Sequence, residues 1–337
     1  MSTMQSLQFL EAGKFAFREV PAPRLQGAGE AIVRPVAASV CDIDRPLIQG
    51  TSPWKGPFAF GHEAVAEVVE IGDAVKSVRA GELVAVAWHI NCGVCDRCVR
   101  GLTAHCRAVP PQAMYGLPVG GEWGGLFDDL VRVPFADAML RVVPRGIDPI
   151  DAVSAGDNLS LGYQIMSGHI ASGRTRILVL GSASVGINQV AFATALGATE
   201  VVYVDDDAGN REIAAKLGAV AVEGPPGRAL GTFDLVVDVA FNAAWLRRAV
   251  RMVEPEGIVE CLGGYFGDVD LPVFAMYVQG VTLRLGRANN GPYMAPTLAT
   301  LRAGTVKPSL WSTPFAWSDA PEVLATPTLK PVAVRSR

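Results

Sequence analysis

The stretch from Ile177 to Asp207, ILVLGSASVGINQVAFATALGATEVVYVDDD, constrains the fold of this chain more than any other. A short apolar run, Ile177 to Leu180, meets a turn of small residues: Gly181, Ser182, Ala183, Ser184, Val185 and Gly186. A helix-like segment continues to Leu196, and a β-branched run follows to Asp205. This change of hydrophobic period predicts strand, turn, helix, strand. Small residues at such a turn let the backbone approach a pyrophosphate, and the helix N-terminus offers it unpaired N–H groups. Asp205, with Asp206 beside it, follows Gly181 at close to the spacing of about 20 residues from which an acid reaches ribose hydroxyls. A carboxylate there accepts from a ribose diol and repels a 2′-phosphate, which favours NAD(H) over NADP(H). Ala183 stands at the middle glycine position of G-x-G-x-x-G, where its methyl crowds the pyrophosphate without forbidding it. A tightly packed βα crossover without a ligand has the same small-residue turn, and the acid at the right distance weighs against that alternative without removing it.

The chain has 337 residues, enough for about two domains. An apolar fraction of 50% and a charged fraction of 18% describe a soluble globular protein with ample core. A formal net charge of −4 gives no reason to expect nucleic acid or an anionic membrane as partner. No apolar run approaches the roughly 18 residues of a membrane span. Met1 to Gly13 lacks a basic segment followed by an apolar one, so the expected location is cytoplasmic. Four of the six cysteines, Cys92, Cys95, Cys98 and Cys106, fall in the spacing C-x2-C-x2-C-x7-C. In a reduced compartment this reads as metal binding. Four thiolates on one tetrahedral ion make a closed, structural zinc site, although iron–sulfur clusters use similar spacings. His89 and His105 flank the lobe and read as bystanders on its surface.

Residues 1 to 90 carry alternating segments broken by Gly and Pro: Phe15 to Val20, Glu30 to Ala38, Glu63 to Ile71 and Glu82 to Trp88. They predict a largely antiparallel β domain. Two polar interruptions sit within it, Cys41-Asp42-Ile43-Asp44 and Gly61-His62-Glu63. Taken singly, a small core thiol and a satisfied histidine explain them as well as metal binding does. Asp151 to Gly168 has helical spacing, with the domain boundary near Asp157. Beyond Asp207 helix and strand alternate, which predicts a parallel doubly wound sheet whose segments Phe233 to Ala240 and Gly257 to Gly264 end at a cofactor crevice. The expected domains are 1–157, 158–286, and a C-terminal segment 287–337, with helix-like Ala295 to Ala303 and a Pro-rich tail, that returns to the first.

These stretches together resemble the zinc-dependent medium-chain alcohol dehydrogenases over nearly the whole chain. The resemblance rests on Cys41-x-x-Asp44, Gly61-His62-Glu63, the four-cysteine lobe, GGLFDDLVRVP at 124 to 134, the 177 to 205 unit and Phe233 to Val239, in that order. It implies an α/β protein: a GroES-like β-rich domain holding zinc, joined to a Rossmann domain holding NAD(P), with the active site in the cleft between them. It also implies two Zn²⁺ per chain. Cys41, His62 and Asp157 would bind a catalytic zinc, with Glu63 as an exchangeable fourth ligand and Asp44 orienting His62. The four-cysteine lobe would bind a structural zinc. A homodimer or homotetramer follows by the same resemblance, formed through an edge strand near Val281 to Leu285. The implied activity is hydride transfer between NAD(H) and a small-molecule secondary alcohol, polyol or bulkier metabolite.

One departure bears on that activity. Where the family usually provides a Ser or Thr two residues after the first Cys, and often a His three further on, this chain has Ile43 and Pro46, which cannot carry a proton. Asp42, Ser160 or a water chain are the substitutes. The alternatives are a reductase delivering hydride to a conjugated double bond or iminium, a large apolar pocket marked by Ile43, and a nucleotide-binding zinc protein without turnover.

Overall fold

The computed structural model describes residues 2–326 and 328–336. Along the chain the first strands are β1 (Thr3–Glu11), β2 (Lys14–Pro21), β3 (Ala31–Ser39), β4 (Phe58–Ala59), β5 (Glu63–Ile71), β6 (Leu83–Val86), β7 (Val131–Val133) and β8 (Leu140–Val142). There follow β9 (Arg176–Leu180), β10 (Glu200–Asp205), β11 (Val220–Glu223), β12 (Phe233–Asp238), β13 (Val253–Cys261) and β14 (Thr282–Leu285), then β15 (Thr313–Ala316) and β16 (Pro331–Val334). The residues up to Leu161 and those from Ala288 onward form one unit, and Gly162 to Arg287 form another.

In the first unit β2, β1 and β4 make a small sheet, and β15, β16, β3, β5, β6 and β8 a larger one, with β7 paired to β3. β3 is buried almost throughout because it pairs with β5, β7 and β16. The antiparallel β character read from residues 1 to 90 is therefore present. The tail supplies what its prolines conceal, a parallel pair, β15 and β16, whose inner member lies antiparallel to β3 with Val332 opposite Ser39.

The helical spacing from Asp151 to Gly168 does not give one helix. A short helix, Pro149–Ala152, ends before Gly156, and a second, Asn158–Ala171, begins after Asp157. At Gly156 the backbone lies against β6, where a Cβ would stand 1.7 Å from the Val86 carbonyl oxygen, so only glycine fits. Asp157 is thereby held at the head of a helix.

The second unit is a parallel sheet in the order β11-β10-β9-β12-β13-β14. Its first strand in sequence lies centrally, and the order reverses between β9 and β12, the point at which open α/β sheets leave a crevice. Leu178, Leu180, Val202, Val204, Phe233 and Val236 are buried together from the three neighbouring strands β9, β10 and β12, each side chain contributing about 1.5–3 kcal/mol. Among the described residues no helix is long and apolar enough to cross a membrane.

Candidate active site

Three chain segments meet in the first unit. Cys41 follows β3, His62 directly precedes β5, and Asp157 sits between the two helices. The thiol of Cys41, a ring nitrogen of His62 and a carboxylate oxygen of Asp157 all lie within 4.8 Å of one another. His62 Nε2 faces Asp157 Oδ2 at 3.6 Å, and Nδ1 faces Asp44 Oδ1 at 3.7 Å. Both separations exceed hydrogen-bond length. The Cys41 N–H donates to Asp44 Oδ2 at 2.9 Å, which closes the Cys-x-x-Asp turn. Asn290 donates through Nδ2 to the carbonyls of Gly156 (2.7 Å) and Asp157 (2.8 Å) and pins the third segment.

The surroundings call for a cation. His62, Asp44 and Asp157 are all buried, and His62 Nδ1, Asp44 Oδ1 and Asp157 Oδ2 have no hydrogen-bond partner, a costly arrangement unless something else satisfies them. Burial opposes a charged His62 ring, yet the carboxylates of Asp44 and Asp157 outweigh it and push the ring up to about 9. Burial and the charges of Asp157 and Glu63 push the Cys41 thiol up, so a thiolate needs positive charge beside it. A thiolate, an imidazole and a carboxylate are ligands that suit zinc, and three of them leave a position open. The donor set therefore fits the metal.

Glu63 is fully buried but lies outside this set of three. Its Oε2 accepts from Lys330 Nζ and from Ser154 Oγ (3.0 Å), while Oε1 has no partner. Burial pushes its carboxyl up, and the Lys330 ammonium pulls against that.

The sulfurs of Cys92, Cys95, Cys98 and Cys106 also lie within 4.8 Å of one another, and none forms a disulfide. Cys95 and Cys106 Sγ are 3.9 Å apart, close to the roughly 3.8 Å of two sulfurs each about 2.3 Å from one tetrahedral ion. Backbone N–H groups of Cys92, Cys95, Arg107 and Ala108 point at these sulfurs at 3.4–3.5 Å. The lobe fits a single zinc. His89 is not on its surface as expected. It is buried, with Nε2 2.9 Å from Thr103 Oγ1 and its ring edge-on to Trp88, because β6 leads it into the core rather than into solvent. His105 is exposed.

In the second unit the turn after β9 leads into the helix Ser184–Ala195, whose N-cap Ala183 makes no side-chain cap. Gly181 and Ser182 take left-handed φ of 62° and 63°. A Cβ on Gly186 would lie 2.2 Å from the Gly181 carbonyl oxygen, so the turn closes only over glycine. Ala183, Ser184, Val185 and Gly186 are buried there. At the end of β10 the carboxylate of Asp205 accepts from Tyr203 Oη (2.6 Å), Asn210 Nδ2 (3.0 Å) and the Asp207 N–H (2.8 Å). Of its roughly four acceptor sites, about one remains. Asp206 is exposed.

Comparison with known proteins agrees with this geometry. A family model described as the alcohol dehydrogenase GroES-like domain matches residues 27–145. The Mycobacterium tuberculosis protein named "Probable zinc-binding alcohol dehydrogenase" is 30% identical over 302 residues, covering 86% of this chain and 77% of that protein. The chain belongs to the zinc-dependent medium-chain alcohol dehydrogenase family. The L-threonine 3-dehydrogenase of Bacillus licheniformis is 28% identical over 290 residues, 80% of each chain. The solved alcohol dehydrogenase of Thermus sp. ATN1 superimposes with a TM-score of 0.88 at 30% identity, covering 99% of this chain and all of that one. For a zinc-dependent alcohol dehydrogenase this chain has an unusual hydroxyl inventory near Cys41. Ile43 and Pro46 are half-buried and offer none. Ser160 is tied up, 2.6 Å from the Ala155 carbonyl and 3.2 Å from Thr297 Oγ1. Lys330, Ser154 and Asn290 escape sequence reasoning. Lys330 and Ser154 are single polar residues in largely apolar stretches and Asn290 sits in a polar one, so none stands out by pattern, and only the folded chain brings them together.

Proposed function

We propose that this protein is a zinc-dependent NAD(H) oxidoreductase that interconverts a secondary alcohol, polyol or bulkier metabolite and its carbonyl compound. The reading rests on one observation above the others: Cys41, His62 and Asp157 converge within 4.8 Å from three separate segments, in surroundings that favour a cation. A zinc ion there supplies Lewis acidity toward an alcohol or carbonyl oxygen. Asp44 faces Nδ1 of His62, which sets the ring to present Nε2 as the donor. The alcohol carbon gives a hydride to the nicotinamide ring and the hydroxyl gives a proton to solvent, so alcohol and NAD⁺ become carbonyl, NADH and H⁺.

On this reading residues 1–157 and 287–337 carry the metals and 158–286 carry the nucleotide. Backbone N–H groups of the turn Gly181 to Gly186 take the pyrophosphate. Asp205, through its remaining acceptor site, and Asp206 take the ribose and favour NAD(H). The second zinc, in the four-cysteine lobe, is structural. Two copies associate through β14, an edge strand of the sheet. The helix Val273–Gln279 just before it exposes Val273, Phe274, Tyr277 and Val278, an apolar patch of the kind that marks an interface.

The test is deuterium tracing. With C4-deuterated NADH and a panel of ketones and enones, label on the carbonyl carbon supports the reading. The lack of a hydroxyl at Ile43 favours a second reading, conjugate reduction, which places the label on the β carbon. NADH binding with no transfer to any acceptor would leave a nucleotide-binding protein without turnover.

A further inference from the structure

The buried ammonium of Lys330 is bonded to the segments that carry the metal donors. Its Nζ donates to the Val40 carbonyl at 2.7 Å, one residue before Cys41, and to Oε2 of Glu63, one residue after His62. Ser154, three residues before Asp157, donates to the same Glu63 oxygen at 3.0 Å. Only 3% of Lys330 is exposed, and β16 places it by pairing with the end of β3. Glu63 thus has one oxygen held by two donors and one, Oε1, buried without a partner. An unpaired carboxylate oxygen next to three converging donors is itself a ligand in waiting. A dication with Cys41, His62 and Asp157 around it would draw it in and close the open position.

We propose that Lys330 is a positioning residue that, with Ser154, holds Glu63 off the fourth metal position and so keeps that position for the substrate oxygen. This rests on the metal reading of Cys41, His62 and Asp157. The arrangement is one of charge and geometry together. The ammonium offsets the Glu63 carboxylate, and its second bond to the Val40 carbonyl fixes where that offset sits. Removing Lys330 leaves the carboxylate buried beside a dication with no other countercharge, and coordination becomes its best remaining contact.

The experiment uses the full-length protein loaded with cobalt(II), whose absorption bands report ligands at an open position. The closed four-cysteine lobe does not respond. Imidazole at pH 8 is the probe, because it is uncharged there and loss of the lysine charge does not bias its binding. Lys330→Met should weaken imidazole binding about tenfold or more, the usual scale for residues that orient a metal site. Adding Glu63→Gln in the same chain should bring it back, as should Lys330→Arg in place of Lys330→Met. Unchanged imidazole binding in Lys330→Met overturns the proposal. If that variant does not fold, the double variant Lys330→Met/Glu63→Gln decides, because weak binding there means that Lys330 does not act through Glu63. Wild-type protein without any imidazole-responsive cobalt that depends on Asp157 would sink the metal reading itself, a result separable from the others.

Discussion

Asp128 is buried at the turn before β7, where its Oδ2 accepts the Gly125 N–H at 3.1 Å and its Oδ1 has no partner. Burial pushes its carboxyl up to about 7, with the Ser6 hydroxyl and the Gly125 N–H holding it back. In the unfolded chain an aspartate titrates near 3.9. The folded state therefore binds this proton more tightly, and the stability it gives is complete below about pH 4 and lost as pH rises to about 7. Between pH 5 and pH 8 the span is about two units, or on the order of 2–3 kcal/mol. Asp128→Asn keeps the acceptor for Gly125 and removes the titration. The difference in urea unfolding free energy, variant minus wild type, should then move in favour of the variant by about 2 kcal/mol from pH 5 to pH 8. Other titrating groups cancel in that difference. Parallel stability curves for the two proteins across this range would refute the argument.

Gly186→Ala puts a methyl 2.2 Å from the Gly181 carbonyl oxygen, so the turn must open at a cost of about 1–3 kcal/mol. NADH affinity by fluorescence titration should drop by about tenfold or more, and wild-type affinity would argue against the turn as the pyrophosphate site. Cys95→Ser should release one zinc per chain and lower the melting temperature, as loss of a closed structural site does; metal analysis and calorimetry check both. Phe274→Asp with Tyr277→Asp should shift the protein to monomer in light scattering. An unchanged assembly would place the interface elsewhere.

The nucleotide unit is the most legible part of the sequence, because its signal is local: a β-branched run, a small-residue turn and a helix, all within Ile177 to Asp205. Its sheet order needs β11 to β14 as well, which lie beyond that stretch. The β-rich unit is legible as a class of structure but not in its connections. β16 and β3 are joined across nearly the whole chain, and no local pattern encodes such a pairing. Lys330 is the clearest case. Beside a Pro-bounded strand a lysine reads as a solvated edge charge, and only the pairing of Val332 with Ser39 carries it into the site. Cys41, His62 and Asp157 are each ambiguous alone and take on meaning only from the family resemblance. The break at Gly156 escapes helical periodicity because it depends on contact with Val86, far off in sequence.

Zinc per chain in the purified protein, compared between wild type and Asp157→Ala, tests the central claim most directly. The account predicts two zincs in the wild type and one in the variant, with NADH binding retained. One zinc in the wild type, insensitive to Asp157, would contradict it and leave Cys41, His62 and Asp157 as a cluster without a metal role.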